Sequence, residues 1–374
     1  MPDFPFEQLR RRPDVEADNL FAYDATDRLL LDTMSEHLPV NGGVAVVGDT
    51  HGALTLGALH LGVRKVLVHQ DPVTGERALN ANAALLGSPG EYAFHPLGRD
   101  LFDGAQLVLL QLPRSLDALE EIAWHIAAAA SADVTVLAGG RVKHMTPAMN
   151  QILSRYFGSV AAGLARQKSR VVTATGALPV GPCPFPTRAE YDVGLPRPLQ
   201  IRAYGATFGG AKLDPGTRFL LQHLHNAPAA ASAVDLGCGN GTIAAYLALS
   251  RPTLAVTATD TSAAAVAATR ATAGANGVGG QVAVVREDGL AGRPDAGDEL
   301  IVLNPPFHSG HTVHAGIALK LFAEAGRTLQ PGGELWTVWN SHLQYRRALE
   351  RLVGPTEQVA RDRRFTVTVS TRTR

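Results

Sequence analysis

Short apolar runs separated by stretches of helical spacing recur along the whole chain. Val44-Ala45-Val46-Val47, Lys65-Val66-Leu67-Val68-His69 and Ala105-Gln106-Leu107-Val108-Leu109-Leu110 lie in the first half. Ala233-Val234-Asp235-Leu236, Leu254-Ala255-Val256-Thr257-Ala258-Thr259-Asp260 and Asp298-Glu299-Leu300-Ile301-Val302-Leu303 lie in the second. Runs this short and continuously apolar predict strands of a parallel sheet, buried on both faces by the helices between them. Both halves therefore read as α/β. Between Pro179 and Pro198 six prolines fall, with Gly181 and Gly194 among them, and neither a helix nor a central strand tolerates that spacing. The expected organisation is a first domain at residues 1–178, a Pro-rich linker at 179–200 and a second domain at 201–374.

The two halves repeat one another in order and approximate spacing. Gly48-Asp49-Thr50-His51-Gly52 follows the first strand of one half, and Gly237-Cys238-Gly239-Asn240-Gly241 follows the first strand of the other. Gln111-Leu112-Pro113-Arg114 stands where the second half has Asn304-Pro305-Pro306-Phe307. The inference is a duplication whose first copy keeps the fold and has lost the chemistry. A length of 374 residues suits two domains of ordinary size.

Composition narrows the class without naming a function. With 45% hydrophobic and 18% charged residues the chain is a globular protein, and no window is long and apolar enough to span a bilayer. No secretory leader opens the sequence, so a cytoplasmic location is expected. Cys183 and Cys238 are too few and too far apart for a disulfide framework or a four-cysteine zinc site. The net charge is zero, which argues against coating nucleic acid through bulk positive charge. Its distribution is uneven: residues 1–178 hold 15 Lys and Arg against 19 Asp and Glu, leaving 19 against 15 for the remainder. From Val134 to Ala189 there is no acid at all, while Arg141, Lys143, Arg155, Arg166, Lys168, Arg170 and Arg188 are basic, a candidate polyanion surface.

The chemistry concentrates in the second half. Glycines at 237, 239 and 241, directly after a strand, permit a tight turn and close backbone approach to a nucleotide-like ligand at a helix N-terminus. A phosphate-binding loop would not welcome Asp235, whereas a methionine ammonium group would pair with it. Asp260, ending the next strand, is placed to accept from ribose hydroxyls, and Asp288, after Val282-Ala283-Val284-Val285, to accept from an adenine amine. Each acid taken singly also fits a cap or turn role. Asn304-Pro305-Pro306-Phe307 supplies a rigid pair of acceptors, the Asn304 side-chain oxygen and the Pro305 carbonyl, for the two protons of one exocyclic amine. Phe307 then offers a face for a base lifted from its stack, and His308 lines the same pocket. His308, His311 and His314 recur at every third residue, a spacing that suits no single helix face, and Gly310 interrupts them, so no metal is expected.

These residues resemble the ribosomal RNA guanine-N2 methyltransferases, more the large-subunit (23S) enzymes than the small-subunit (16S) ones. The similarity runs through Thr207-Phe208-Gly209-Gly210 to Leu221, Val234 to Thr242, Asn304 to His308 and Pro331-Gly332-Gly333-Glu334-Leu335. It extends into the first half at Leu112 to Glu121 and Ala138 to Lys143, and into the ending from Asn340 through Phe365. The resemblance implies two tandem Rossmann-like class I methyltransferase domains, the first degenerate, with S-adenosylmethionine bound by the second only. It implies that Phe208, Asp214, Gly216 and Thr217 close over that cofactor, that Asn240 belongs to its loop, and that ribosomal RNA or a ribosomal subunit is the partner. Gly209-Gly210 departs from the Ser-Arg common in the family. Adenine-N6 and protein-glutamine methyltransferases share the tetrapeptide, usually with Tyr fourth, and a non-catalytic RNA-binding module is a further alternative. In the first domain Arg141, Lys143, Arg166, Lys168 and Arg170 are the candidate RNA contacts.

Overall fold

The computed structural model describes residues 4–14, 16–17, 19–40, 42–88, 90–306 and 312–373, with the side chains of 312–315 left aside. Its contacts divide the chain into two units, Met1–Phe185 and Pro186–Arg374.

The first unit holds strands β1 (Gly43–Val47), β2 (Lys65–His69), β3 (Glu91–Phe94), β4 (Ala105–Gln111), β5 (Thr135–Arg141), β6 (Phe157–Ala162) and β7 (Ser169–Ala177). Its helices are α1 (Ala25–Ser35), α2 (Ala53–His60), α3 (Val73–Leu86), α4 (Arg99–Phe102), α5 (Leu116–Ala129) and α6 (Pro147–Tyr156). The second unit opens with a two-stranded sheet of β8 (Thr187–Tyr191) and β9 (Leu199–Ala203). It continues with α7 (Pro215–Leu221), β10 (Ser232–Leu236), α8 (Thr242–Ser250), β11 (Ala255–Asp260), α9 (Ala263–Ala275), β12 (Val282–Arg286) and β13 (Asp298–Leu303). It closes with α10 (Thr312–Thr328), β14 (Leu329–Asn340), α11 (Arg346–Leu352), β15 (Thr356–Arg361) and β16 (Phe365–Thr371).

Both large sheets have seven strands in the same order, β3-β2-β1-β4-β5-β7-β6 in one and β12-β11-β10-β13-β14-β16-β15 in the other. The first five strands of each are parallel, and the last two add antiparallel. Alternate residues of one strand feed the two faces. Val44 and Val46 pack in one core while Ala45 and Val47 pack in the other. In the second unit Ala233 lies on the face that carries Ile243 and Leu247 of α8, and Val234 and Leu236 lie on the opposite face with Phe322. Burial on both faces is why these strands read as continuous apolar runs.

The expected linker is corrected in part. Residues 187–200 are built into the second unit, where β9 packs on α9 through Gln200 N–H to Asn276 Oδ1 (3.1 Å) and Arg202 N–H to Thr272 Oγ1 (2.9 Å). The prolines bound the strands instead of interrupting them: Pro186 precedes β8, and Pro196 and Pro198 fill the turn before Leu199. A two-stranded sheet has only edge strands, which accept flanking prolines.

Candidate functional site

After β10 the chain turns through Gly237, Gly239 and Gly241, all at positive φ (73°, 54° and 77°), a conformation that costs any residue with a Cβ. The Gly237 and Cys238 N–H groups both donate to the Thr259 carbonyl (2.8 and 2.9 Å), which pins the turn to the end of β11. A Cβ at Gly237 or Gly239 would meet open space, whereas one at Gly241 would lie 2.8 Å from Thr269 Cα. Gly241 thus lets α8 approach α9, while Gly237 and Gly239 keep a bare backbone cradle open. Cys238 is buried, its thiol accepts from Thr269 Oγ1 (3.1 Å), and burial pushes its pKa well up, so it is packing rather than chemistry.

Asp260 stands at the rim of that cradle. One carboxylate oxygen accepts from Gly239 N–H (3.0 Å) and the other from Ser262 N–H (2.9 Å), while Ser262 Oγ caps α9 through Ala265 N–H. The turn-and-cap role open to this acid is therefore realised, and it fixes the carboxylate beside the glycine turn.

Asp235 is placed differently from the direct ammonium contact expected of it. Strand alternation puts it on the face of Ala233, beneath α8, fully buried, with Oδ2 accepting from Ala244 N–H (2.9 Å) and Oδ1 without a partner among the described residues. Burial first, and Asp260 nearby, raise its pKa to about 7 against the pull of the Ala244 bond. It secures the start of the helix from below. Asp288 is likewise occupied: its Oδ2 takes an ion pair from Lys320 on α10 at 2.5 Å. An adenine amine would have to share that carboxylate.

The next strand delivers the most informative arrangement. Asn304, one residue past β13, donates from Nδ2 to Asp214 Oδ2 (2.9 Å) and to Thr217 Oγ1 (2.8 Å). A carboxylate only accepts, so the nitrogen of the carboxamide must face it and the oxygen must face away. That oxygen, Oδ1, is buried and unpartnered among the described residues. Asp214 also caps α7, accepting from Thr217 N–H (2.8 Å), so a single helix start holds the orientation of Asn304. Pro305 is buried beside it and Pro306 exposed; Phe307 and His308 lie outside the described residues, as does His311.

The segment expected to close over the cofactor divides. Asp214 and Thr217 grip Asn304, a role that sequence reasoning missed because the two partners lie 87 and 90 residues away. The local signal, Asp before Pro at a helix start, announced the cap and nothing of its target. Asn240 reaches the same segment, donating to the carbonyls of Gly210 (3.0 Å) and Lys212 (3.2 Å) while Thr242 Oγ1 donates to its oxygen (2.7 Å). Gly209 and Gly210, the departure from the family pattern, both adopt positive φ (72° and 62°) and so turn the backbone that presents those carbonyls. Phe208 is 66% exposed at the head of this turn.

The first domain carries the counterpart of each element. Val47 pairs with Leu110 as Leu236 pairs with Leu303, which sets Gln111 at the place of Asn304 and Gly48 to Gly52 at the place of the glycine loop. There Thr50 replaces Gly239 and Gln70 replaces Asp260, so the bare cradle and its acid are both missing. Among the sequence-predicted RNA residues, Val142 N–H donates to the Lys168 carbonyl (2.9 Å) and Arg141 pairs with Ser169, which brings Arg141, Lys143, Arg166 and Lys168 to one end of the sheet. Arg170, next along β7, faces Gly140. Arg155 is spent on Glu120 (2.8 Å), and Arg188 belongs to the other unit. Among the described residues no group of His, Cys, Asp and Glu is arranged to hold a metal, and no helix is long and apolar enough to cross a membrane.

A glycine cradle after the first strand, an acid at the end of the second and an oriented asparagine after the fourth define an S-adenosylmethionine-dependent methyltransferase. Comparison with known proteins agrees with this class. The family model described as methyltransferase small domain matches residues 198–369, and the RLMG N-terminal domain matches residues 3–177. Proteins named ribosomal RNA large subunit methyltransferase G are 36% identical over 365 residues in Streptomyces coelicolor, with 96% of each chain covered. In Pseudomonas aeruginosa the figure is 36% over 376 residues, with 98% of this chain and 99% of the relative covered. The chain belongs to the ribosomal RNA large subunit methyltransferase G family. The fold matches the T. thermophilus 16S rRNA N2 methyltransferase RsmC, solved with AdoMet and guanosine, at a TM-score of 0.74 and 21% identity over 93% of this chain and 92% of that one.

Proposed function

We propose that the second domain transfers a methyl group from S-adenosylmethionine to the N2 amine of a guanine in large-subunit ribosomal RNA. The observation that carries the reading is the buried Oδ1 of Asn304, unpartnered among the described residues and turned away from Asp214 and Thr217 by their grip on Nδ2. An unfilled acceptor in a buried place is costly until a donor arrives, and an exocyclic amine is such a donor. The name shared by the curated relatives supports the large subunit, and the guanosine in the RsmC complex supports guanine.

When bound, S-adenosylmethionine supplies an electrophilic methyl on a sulfonium sulfur. Gly237 and Gly239 give the backbone cradle for it, with Asp260 beside them as ribose acceptor and the segment from Phe208 to Lys212 tied down over the loop by Asn240. Asn304 Oδ1 takes one amine N–H and the Pro305 carbonyl the other, which turns the nitrogen lone pair toward the methyl. A cofactor held there would supply the methyl to that nitrogen and be left as S-adenosylhomocysteine, with the proton that the amine loses passing to water. Asn304 contributes orientation, the part of such a displacement that a protein can supply most effectively. Asp235 steadies the loop through α8 and takes no part in transfer.

The test uses 23S and 16S ribosomal RNA from cells lacking the gene, incubated with the protein and methyl-labelled S-adenosylmethionine, then digested to nucleosides. Label in N2-methylguanosine from 23S RNA is the expected result. Label in 16S RNA, in N6-methyladenosine, or in neither RNA overturns the assignment.

A further inference from the structure

Helix α10 grips the loop that carries Asp288 at three points. Leu290 N–H donates to Glu324 Oε2 (2.6 Å), Arg327 Nη2 donates to the Leu290 carbonyl (2.7 Å), and Lys320 Nζ donates to Asp288 Oδ2 (2.5 Å). Positions 320, 324 and 327 fall on one face of the helix, so a single element fixes both the backbone of the loop and its acid. Leu290 is fully buried in the core that also holds Ala318, Leu321 and Phe322 of α10. Gly289, at a φ of 64°, lets Glu324 lie against the loop, because a Cβ there would collide with the Glu324 carboxylate. The Asp-Gly pair is therefore fitted to α10, which a plain turn would not require.

The ion pair at the end of this grip is unlike an ordinary surface pair. The Asp288 side chain is only 18% exposed, and Lys320 Nζ also lies 3.8 Å from Glu324 Oε1, so the ammonium is held between two carboxylates. Lys320 takes Oδ2 of Asp288, and among the described residues nothing donates to Oδ1. The first domain shows what happens to the acid where the cofactor loop is gone. Val68 pairs with Phe94 as Ala258 pairs with Val284, which sets Gly98 at the place of Asp288. The copy that lacks the bare cradle and the counterpart of Asp260 thus lacks this acid as well.

We propose that Lys320 is a positioning residue for the adenine of S-adenosylmethionine: by holding one oxygen of Asp288 it leaves the other for the 6-amino group, and so makes the cofactor site selective for a base with an amine at that position. An adenine laid against Asp288 takes further water from a carboxylate that is already mostly buried, and an ammonium in contact with it compensates for that loss. A carboxylate only accepts and an amine donates, whereas the 6-oxo group of hypoxanthine would set two acceptors against each other. The proposal rests on Asp288 meeting the adenine and is independent of the RNA that the protein modifies.

The experiment is calorimetry of the full chain with S-adenosylhomocysteine and with S-inosylhomocysteine, which carries hypoxanthine in place of adenine, alongside melting temperatures. Wild type should bind the adenosyl compound roughly tenfold or more tighter. Lys320→Met should weaken adenosyl binding about fivefold and cut the preference about threefold or more, with the melting temperature nearly unchanged. Lys320→Arg keeps the cation and should restore most of both. Asp288→Asn, whose amide can donate to a 6-oxo group, should lose the preference. Arg346→Met removes one cation from the exposed pair with Glu350 on α11 and should change neither quantity. Adenosyl binding by Lys320→Met equal to or tighter than wild type, or an unchanged preference, overturns the proposal. A preference that survives Asp288→Asn overturns it too, because Asp288 then does not meet the adenine. Methyl transfer to RNA enters none of these measurements, so a failure of the RNA reading is seen separately.

Discussion

Thr217 Oγ1 accepts a hydrogen bond from Asn304 Nδ2 across 2.8 Å and 87 residues of sequence. With Asp214 taking the other amide proton at 2.9 Å, the Asn304 carboxamide has its donors satisfied and its acceptor without a partner among the described residues. The orientation of the Asn304 carboxamide is thus set by the start of a helix that precedes the large sheet of the second unit.

Asn304→Ala should lower methyl transfer roughly a hundredfold or more, because the acceptor that orients the nucleophile is gone. Calorimetry should find S-adenosylmethionine affinity within about threefold of wild type, since one neutral contact outside the cradle is worth little to the cofactor. A turnover number equal to wild type would remove Asn304 from the site.

Thr217→Val tests the orientation alone. The hydroxyl acceptor is lost while the side chain keeps its shape, so Asn304 is held by Asp214 only. Turnover should drop by about three- to tenfold, a loss of about 1 kcal/mol of positioning, with the cofactor dissociation constant and melting temperature nearly unchanged. Equal losses in cofactor affinity and turnover would show that Thr217 touches the cofactor instead.

Two glycines of one loop should respond oppositely. Gly241→Ala forces a methyl against Thr269 and should destabilise the protein by about 1–3 kcal/mol, read by denaturant unfolding. Gly239→Ala meets no protein atom and should cost only about 1 kcal/mol from its positive φ, yet weaken S-adenosylmethionine binding tenfold or more by filling the cradle. Normal cofactor binding by the Gly239 variant would show that the cradle is not used.

Asp260→Ala should weaken S-adenosylmethionine binding about tenfold or more and also lower the melting temperature, because Gly239 and Ser262 N–H lose their acceptor. Asp260→Asn keeps one acceptor oxygen and should recover part of the stability with less of the affinity. A variant that melts early but binds cofactor normally would leave Asp260 as a cap alone.

Asp235 makes stability depend on pH. Its folded pKa of about 7 lies above the ordinary 3.8, so between those values the folded protein keeps a proton that the unfolded chain has released. Its contribution therefore falls as pH rises through that window and is flat above about 7. Asp235→Asn still accepts from Ala244 N–H and carries no proton to lose. The decline in melting temperature between pH 5 and pH 8 should be smaller in the variant, with Asp27 in the first domain, also raised to about 7, accounting for part of what remains. An identical decline in both proteins would show that Asp235 does not titrate there.

The sequence by itself determined the two α/β halves, their duplication, the glycine loop and the Asn-Pro-Pro turn. All of these are local: an apolar run makes a buried strand, and a glycine or proline a few residues later determines how the strand ends. Only the tertiary structure decided what the polar side chains do, because their partners arrive from distant segments. It assigned Thr217 and Asp214 to Asn304, gave Asp288 to Lys320, and placed Asp235 under α8 through strand alternation. It also showed that residues 187–200 join the second unit and that Arg114 and Lys143, distant in sequence, line one crevice of the first. Local chain stiffness and burial fix the elements, but a hydrogen bond or ion pair depends on two positions in space, which one-dimensional order does not specify.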